Sequence, residues 1–347
     1  MKDQIPIIDM HCDTISVIHD QRLQNQEIGL RENPLHVDLK RMKSSNYLCQ
    51  NFALFTYLGN WFNQDGHYAH AEVKNMYHSP YDYACSLSNT LDKEMRKNKD
   101  LIRMAVSGSE IEENMKNGFM SGLKTIEEGA VFEDQLEKLD LFYQKGVRMT
   151  TLTWNYENNL AYPNQIDLHT GRALPDTVHG LKPIGREFVE YCREIGILLD
   201  ISHLNDAGIY DIFDIYDGKT PIVASHSNAR AVTNQARNLS DDMLRRLANC
   251  GGVTGINFCA DFLNDRADQV ALIEDMVRHI LHIEHVAGID AIGLGSDMDG
   301  IENLIEFKDC SGIQLLAQAL ESAGYSIDKI EKIFYKNVLR VYKDVLG

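Results

Sequence analysis

The sequence predicts an α/β protein, a TIM-like (β/α)8 barrel formed as a single domain. Three observations predict it. Short apolar, β-branched runs alternate with longer amphipathic stretches, the pattern of parallel strands joined by helices. There are about eight such runs, the number a closed barrel requires. No repeat, low-complexity tract or Pro/Gly/Ser linker divides the 347 residues, which hold only seven Pro, and such barrels reach this length as one unit.

The expected strands are Ile5–Met10, Gln50–Thr56, Gly122–Glu127, Arg148–Thr153, Gly196–Ile201, Pro221–Ser225, Gly252–Asn257 and Ala291–Gly295. Helical stretches lie between them. Asp134–Lys145 carries Leu136, Leu139 and Phe142 on one face. Pro183–Ile195 opens on a proline suited to a first turn. Ser240–Asn249 begins with Ser240 and two Asp, an N-terminal signal. Asp268–Val286 and Ser326–Val345 are longer. Residues from about 58 to 95 mix aromatics, His and a helical tail, and read as an insertion near the barrel mouth.

A composition of 44% hydrophobic and 24% charged residues suits an ordinary globular core. The net charge of −17 offers no positive field, so neither nucleic acid nor an anionic membrane face is expected as a partner. Ile5–Met10 is too short for a signal h-region, and no run has the length of a membrane span. Seven Cys, odd in number and without a C-x-x-C, read as free thiols in a reducing cytoplasm.

Barrels of this kind carry their chemistry at the carboxyl ends of strands, and unusual polar residues fall there. The first strand runs into His11-Cys12-Asp13. Alternation puts His11 and Asp13 on one side, a compact imidazole–carboxylate pair; the plainer reading is a turn with Asp13 capping the next helix. The third strand ends in Glu127-Glu128. If Lys124 avoids the interior, Leu123, Thr125 and Glu127 line it, leaving Glu128 as the alternative. The fifth and sixth strands end at His203 and His226, each after a Ser. These Ser-His pairs are expected to make no serine triad, because adjacent residues on a strand face opposite ways. The eighth strand ends at Asp297; Asp299, next to Gly300, reads as a turn. Three imidazoles and two or three carboxylates at one barrel end suit zinc or a similar divalent ion. Five ligands exceed the needs of one tetrahedral ion and fit a pair sharing a carboxylate. His279, His282 and His285 recur every three residues on an outer helix and read as a solvated face. No G-x-G-x-x-G or P-loop is present.

Taken together, the residues resemble the membrane (renal-type) dipeptidase family of metallopeptidases, within the amidohydrolase superfamily. The resemblance runs from Ile8-Asp9-Met10-His11-Cys12-Asp13 to Asn337-Val338-Leu339-Arg340-Val341. Its most specific pieces are Leu152-Thr153-Trp154-Asn155, Asp200-Ile201-Ser202-His203, Ala224-Ser225-His226-Ser227, Arg237-Asn238-Leu239 and Gly295-Ser296-Asp297-Met298-Asp299-Gly300. It implies that His11 and Asp13 hold one zinc, that His203 and His226 hold the other, and that Glu127 bridges them. It implies that Arg237 grips a dipeptide's carboxylate and that Asp297 meets its amino group and handles the proton. A zinc-activated hydroxide would attack the peptide carbonyl. A homodimer is a family-level expectation. One departure is Trp154, where many members carry a His that steadies the oxyanion. The rival readings are another amidohydrolase acting on a cyclic amide or related small molecule, and a non-catalytic metal-binding descendant. The first often uses a bridging lysine, and here no Lys ends a suitable strand.

Overall fold

Parallel pairing passes from strand to strand until it returns to its start. In the computed structural model, which describes residues 4–58, 71–167 and 173–347, the barrel strands are β1 (Ile7–Asp9), β2 (Tyr47–Phe55), β3 (Met120–Glu127), β4 (Val147–Thr151), β5 (Leu198–Asp200), β6 (Val223–Ala224), β7 (Val253–Ile256) and β8 (Ile292–Leu294). Each pairs with the next, and Asp9 pairs with Leu294 to close the ring. All eight expected strands are present. The sequence reading missed Ile102–Met104, which extends the sheet beside the first half of β3. With one buried residue in three it is too short to show alternation.

Two layers of apolar packing hold the barrel. Inside, Ile8, Leu123, Met149, Leu198, Val223 and Val253 come from six different strands and cluster with Val338 and Tyr342. The last two lie on the C-terminal helix Asn337–Leu346, which closes the end opposite the site; the Tyr342 hydroxyl donates to Asn51 Oδ1 at 2.9 Å. Outside, the opposite faces of the strands pack against the helix ring, with Phe52, Phe132, Phe188 and Phe334 fully buried. The strands at the seam approach closely. A Cβ at Gly295 would lie 1.7 Å from Ser225 O, so only glycine fits.

Several helices differ from expectation. Asp241–Asn249 starts as expected, with the Ser240 side chain accepting from Met243 N. The stretch expected to be helical from Asp268 instead begins with a short strand, Val270–Ala271, paired with Leu304–Ile305, and becomes helix only over Ile273–Ala287. The helix expected over Ser326–Val345 is interrupted by a π-helical turn at Lys332–Lys336. Of the segment from 58 to 95, residues 59–70 lie outside the described residues; the rest includes helices Ala71–Met76 and Pro80–Lys97. Lys124 does avoid the barrel interior, yet it is fully buried: its ammonium donates to Ser88 Oγ, Asp92 Oδ1 and Lys145 O, tying Pro80–Lys97 to the barrel.

Candidate active site

The polar strand ends meet at one mouth. Pairing between β1 and β8 continues past both strands: Asp297 N donates to His11 O and Asp13 N to Met298 O, which sets His11, Asp13 and Asp297 side by side. His203 and Asp297 adopt positive φ, 69° and 60°. Non-glycine residues rarely hold such backbones, and when they do, function is a common reason. A Cβ at Gly300 would lie 2.1 Å from Asp13 Oδ2 and 2.7 Å from Asp297 Oδ1, so a side chain there would displace these carboxylates.

Glu127 lies at the centre. Its Oε2 is 3.1 Å from His11 Nε2, which is 3.3 Å from Asp13 Oδ2. Its Oε1 is 3.0 Å from His203 Nε2 and 3.7 Å from His226 Nε2, and those two nitrogens are 2.9 Å apart. One carboxylate thus offers one oxygen to each of two donor groups. Asp297 Oδ1 stands 3.9 Å from His11 Nε2. His11 with Asp13 and Asp297, and His11 with Glu127 and His226, are close enough to share an ion. Both ring nitrogens of His11, Asp13 Oδ1 and Glu127 Oε1 are buried without a hydrogen bond. Such atoms carry a large desolvation cost in a protein interior; divalent cations would satisfy His11 Nε2, Asp13 Oδ1 and Glu127 Oε1, while His11 Nδ1 would keep the ring proton. The donor set therefore fits the group.

Electrostatics agrees. Burial, with Arg237 nearby, lowers His203 to about 4. Burial, reinforced by His11, holds His226 well below its ordinary value. Burial works against Glu127, but His11 and His203 overcome it and keep the carboxyl well below its ordinary range. Neutral imidazoles and an ionised carboxylate are the ligating forms. His11 differs: burial lowers it, but Glu127 and Asp13 overcome burial and hold it well above its ordinary value, so an ion bound there would displace a proton. Burial pushes Asp297 up to about 7, against the pull of His11 and with the repulsion of Asp13 and Glu127.

Residues behind the donors orient them, and the sequence reading missed these roles. Asn155 Oδ1 lies 3.1 Å from His203 Nδ1. Ser225 Oγ lies 2.6 Å from His226 Nδ1 and also donates to Asp200. This corrects the expectation that Ser225 and His226 face apart: β6 ends at Ala224, so strand alternation no longer governs them. The pair is still no triad, because the serine is fully buried behind the imidazole. Asn257 Nδ2 donates to Asp297 Oδ2 at 2.9 Å.

The other expected residues are placed as follows. Asp13 occupies the N-cap position of helix Thr14–Leu23, but its side chain makes no capping bond. Asp299 turns away to accept from Thr14 Oγ1 and His36 N. Glu128 is buried rather than solvated; it accepts from Ala130 N, Trp154 N and Asn158 Nδ2, and burial raises it to about 7. Arg237 is buried beside His226: it donates to Ser227 Oγ and His226 O, faces Phe262, and has no ion pair among the described residues. Trp154, with Phe55, Tyr57, His203, Phe262 and Asp297, lines a cavity of 560 Å³ over the donors. The solvated-face reading of the histidine stripe is corrected. His279 is fully buried, accepting from Ala229 N and contacting Leu263 O, and His282 pairs with Asp241; of the three only His285 is exposed.

A sequence model of the membrane dipeptidase family, peptidase family M19, matches residues 1–346. The chain belongs to that family. It is a metal-dependent dipeptidase by membership, and the family's use of divalent metal accords with the donors at this mouth. A Schizosaccharomyces pombe protein named as an uncharacterised dipeptidase is 31% identical over 97% of this chain and 80% of its own. A Claviceps purpurea dipeptidase is 31% identical over 74% of this chain and 58% of its own. Among solved structures, an M19 dipeptidase superposes with a TM-score of 0.87 at 27% identity, covering 99% of this chain and 100% of that one. A Rhodobacter sphaeroides metallopeptidase, liganded with a phosphinate mimic of L-Ala-D-Ala, gives 0.86 at 25% identity over 99% and 100%. No helix among the described residues is long and apolar enough to cross a membrane.

Proposed function

We propose that the mouth holds two divalent ions, zinc by its donor chemistry, and hydrolyses dipeptides with a free amino and a free carboxyl end. His11 and Asp13 hold one ion, His203 and His226 the other, and Glu127 spans both. The observation that carries this reading is the division of Glu127, one oxygen to each donor group. When bound, the ions supply Lewis acidity, activating water near neutral pH and polarising a carbonyl.

The chain's own residues do the rest. Arg237 is a buried cation with no ion pair among the described residues, and burying a charge unpaired is costly. A substrate carboxylate completes it as a planar fork. Asp297, held by Asn257, receives the amino group, takes the proton that the attacking water gives up and passes it to the leaving amine. Clamping both termini limits the substrate to two residues. The bound phosphinate mimic of a dipeptide in the Rhodobacter sphaeroides relative supports this class of substrate.

The test is metal analysis with a dipeptide panel. We expect about two divalent ions per chain and loss of hydrolysis on chelation. Arg237→Ala should lower kcat/KM for free dipeptides by roughly 30- to 1000-fold and narrow their advantage over C-terminal amides. Full activity without metal, or an unchanged acid-to-amide ratio, overturns the corresponding assignment.

A further inference from the structure

One part of the cavity lining is aromatic. Trp154 stands edge-to-face with Phe55 (5.1 Å, 62°) and with Tyr57 (5.9 Å, 84°), and all three side chains line the cavity. The rest of the lining mixes Gln21, Gln24, Gln269 and Asn303 with Val17, Tyr83, Phe262 and Ile301. Beyond the donor carboxylates, Asp20, Asp261, Asp299 and Glu302 also line it, and no Lys or Arg does among the described residues, Arg237 being buried beside His226.

The aromatic part is built and held. Tyr156 lies behind it, 5.8 Å from Trp154 and 5.7 Å from Tyr57, and its hydroxyl donates to Tyr57 at 2.8 Å. The Trp154 backbone N–H is anchored on the buried Glu128 carboxylate at 3.1 Å. Asn158 ties that carboxylate to Leu152 O, fixing both ends of the turn. A wall fixed in advance spends little ordering entropy when it takes a ligand. It also begins at the reacting centre, because the Trp154 ring lies 5.8 Å from that of the proposed ligand His203.

We propose that Phe55, Tyr57 and Trp154 select dipeptides carrying a large planar side chain, which lies against this wall. The proposal rests on the dipeptidase reading and adds a substrate class to it. A methyl side chain leaves the wall wet. An acidic side chain meets the excess of carboxylates. A planar apolar one buries area and gains ring-on-ring contact at separations aromatic pairs favour. Trp154 is then a specificity residue.

The experiment measures kcat/KM of the metal-loaded enzyme for Ala-Ala, Phe-Ala, Ala-Phe and Glu-Ala, in wild type, W154A and W154L. The better phenylalanine substrate should exceed Ala-Ala by about ten- to a hundredfold, with Glu-Ala poorest. W154A should bring the Phe-to-Ala ratio close to one, and W154L should leave it intermediate. Ala-Ala cleaved as well as both phenylalanine substrates, or a wild-type ratio retained in W154L, overturns the proposal. If W154A does not fold, the wild-type and W154L ratios decide. Absence of cleavage for every dipeptide would overturn the dipeptidase reading itself, whereas good cleavage of Ala-Ala without a preference overturns the wall alone.

Discussion

A histidine ligates through one nitrogen only if its proton sits on the other. Asp200 accepts from Ser202 N, Ser225 N and Ser225 Oγ, so its carboxylate is committed as an acceptor. Ser225 Oγ, its proton spent on Asp200, must accept from His226 Nδ1, leaving Nε2 bare toward Glu127 and His203. Asp200→Asn keeps the shape but places an amide donor against the serine, which favours the opposite tautomer. It should weaken ion retention about 10- to 100-fold, read by chelator competition, with a small change in the melting temperature of the metal-free protein. Unchanged retention would remove the relay. This part of the site was illegible in the sequence. His11, Glu127, His203, His226 and Asp297 announced themselves by terminating apolar runs, a local signal. The roles of Ser225 and Asp200 exist only because residues 25 apart meet across two strands, and Asn155 reaches His203 from 48 residues away.

At the scale of elements, a strand is readable when burial forces a pattern, and β1–β8 were readable for that reason. The outer helices were readable as helices but not for their inner contacts. His279 shows why: spacing gives a face, not what covers it. It links Ala229, just after β6, to Leu263, at the end of helix Ala260–Leu263. Burial, with Arg278 adding to it, lowers His279 to about 4 from an ordinary value of 6.5. The unfolded chain therefore binds this proton first as pH falls. The contribution to stability is complete above pH 6.5, declines below it, and is exhausted near pH 4. His279→Asn should cost stability at neutral pH and flatten the acid limb between those limits, measured by urea unfolding in chelator at several pH values. An acid limb of unchanged slope would mean that other groups, such as the buried His19, carry it.

At the scale of the molecule, closure of the barrel and the site occupy opposite ends. The donors stand where the strands finish, while the C-terminal helix inserts Val338 and Tyr342 where they begin. Tyr342 is fully buried, clusters with the inner strand residues and donates its hydroxyl to Asn51. The sequence marked the C-terminal segment as a helix but not as a plug, because an amphipathic face looks the same whether it covers a barrel's flank or its end. The two placements differ in consequence. A flank helix could lose one aromatic ring and let neighbours relax over the gap. Around the barrel axis the strands are fixed by hydrogen bonding on both sides, so a cavity there cannot collapse. Tyr342→Ala should therefore destabilise near the upper end for large-to-small core changes, about 3–5 kcal/mol. Chemical denaturation should show that loss, while kcat/KM per folded molecule stays close to wild type because the donors lie at the other end. A loss of activity per folded molecule comparable to the loss of stability would instead mean that the barrel transmits strain along its axis, from Tyr342 through Asn51 and β2 to the mouth.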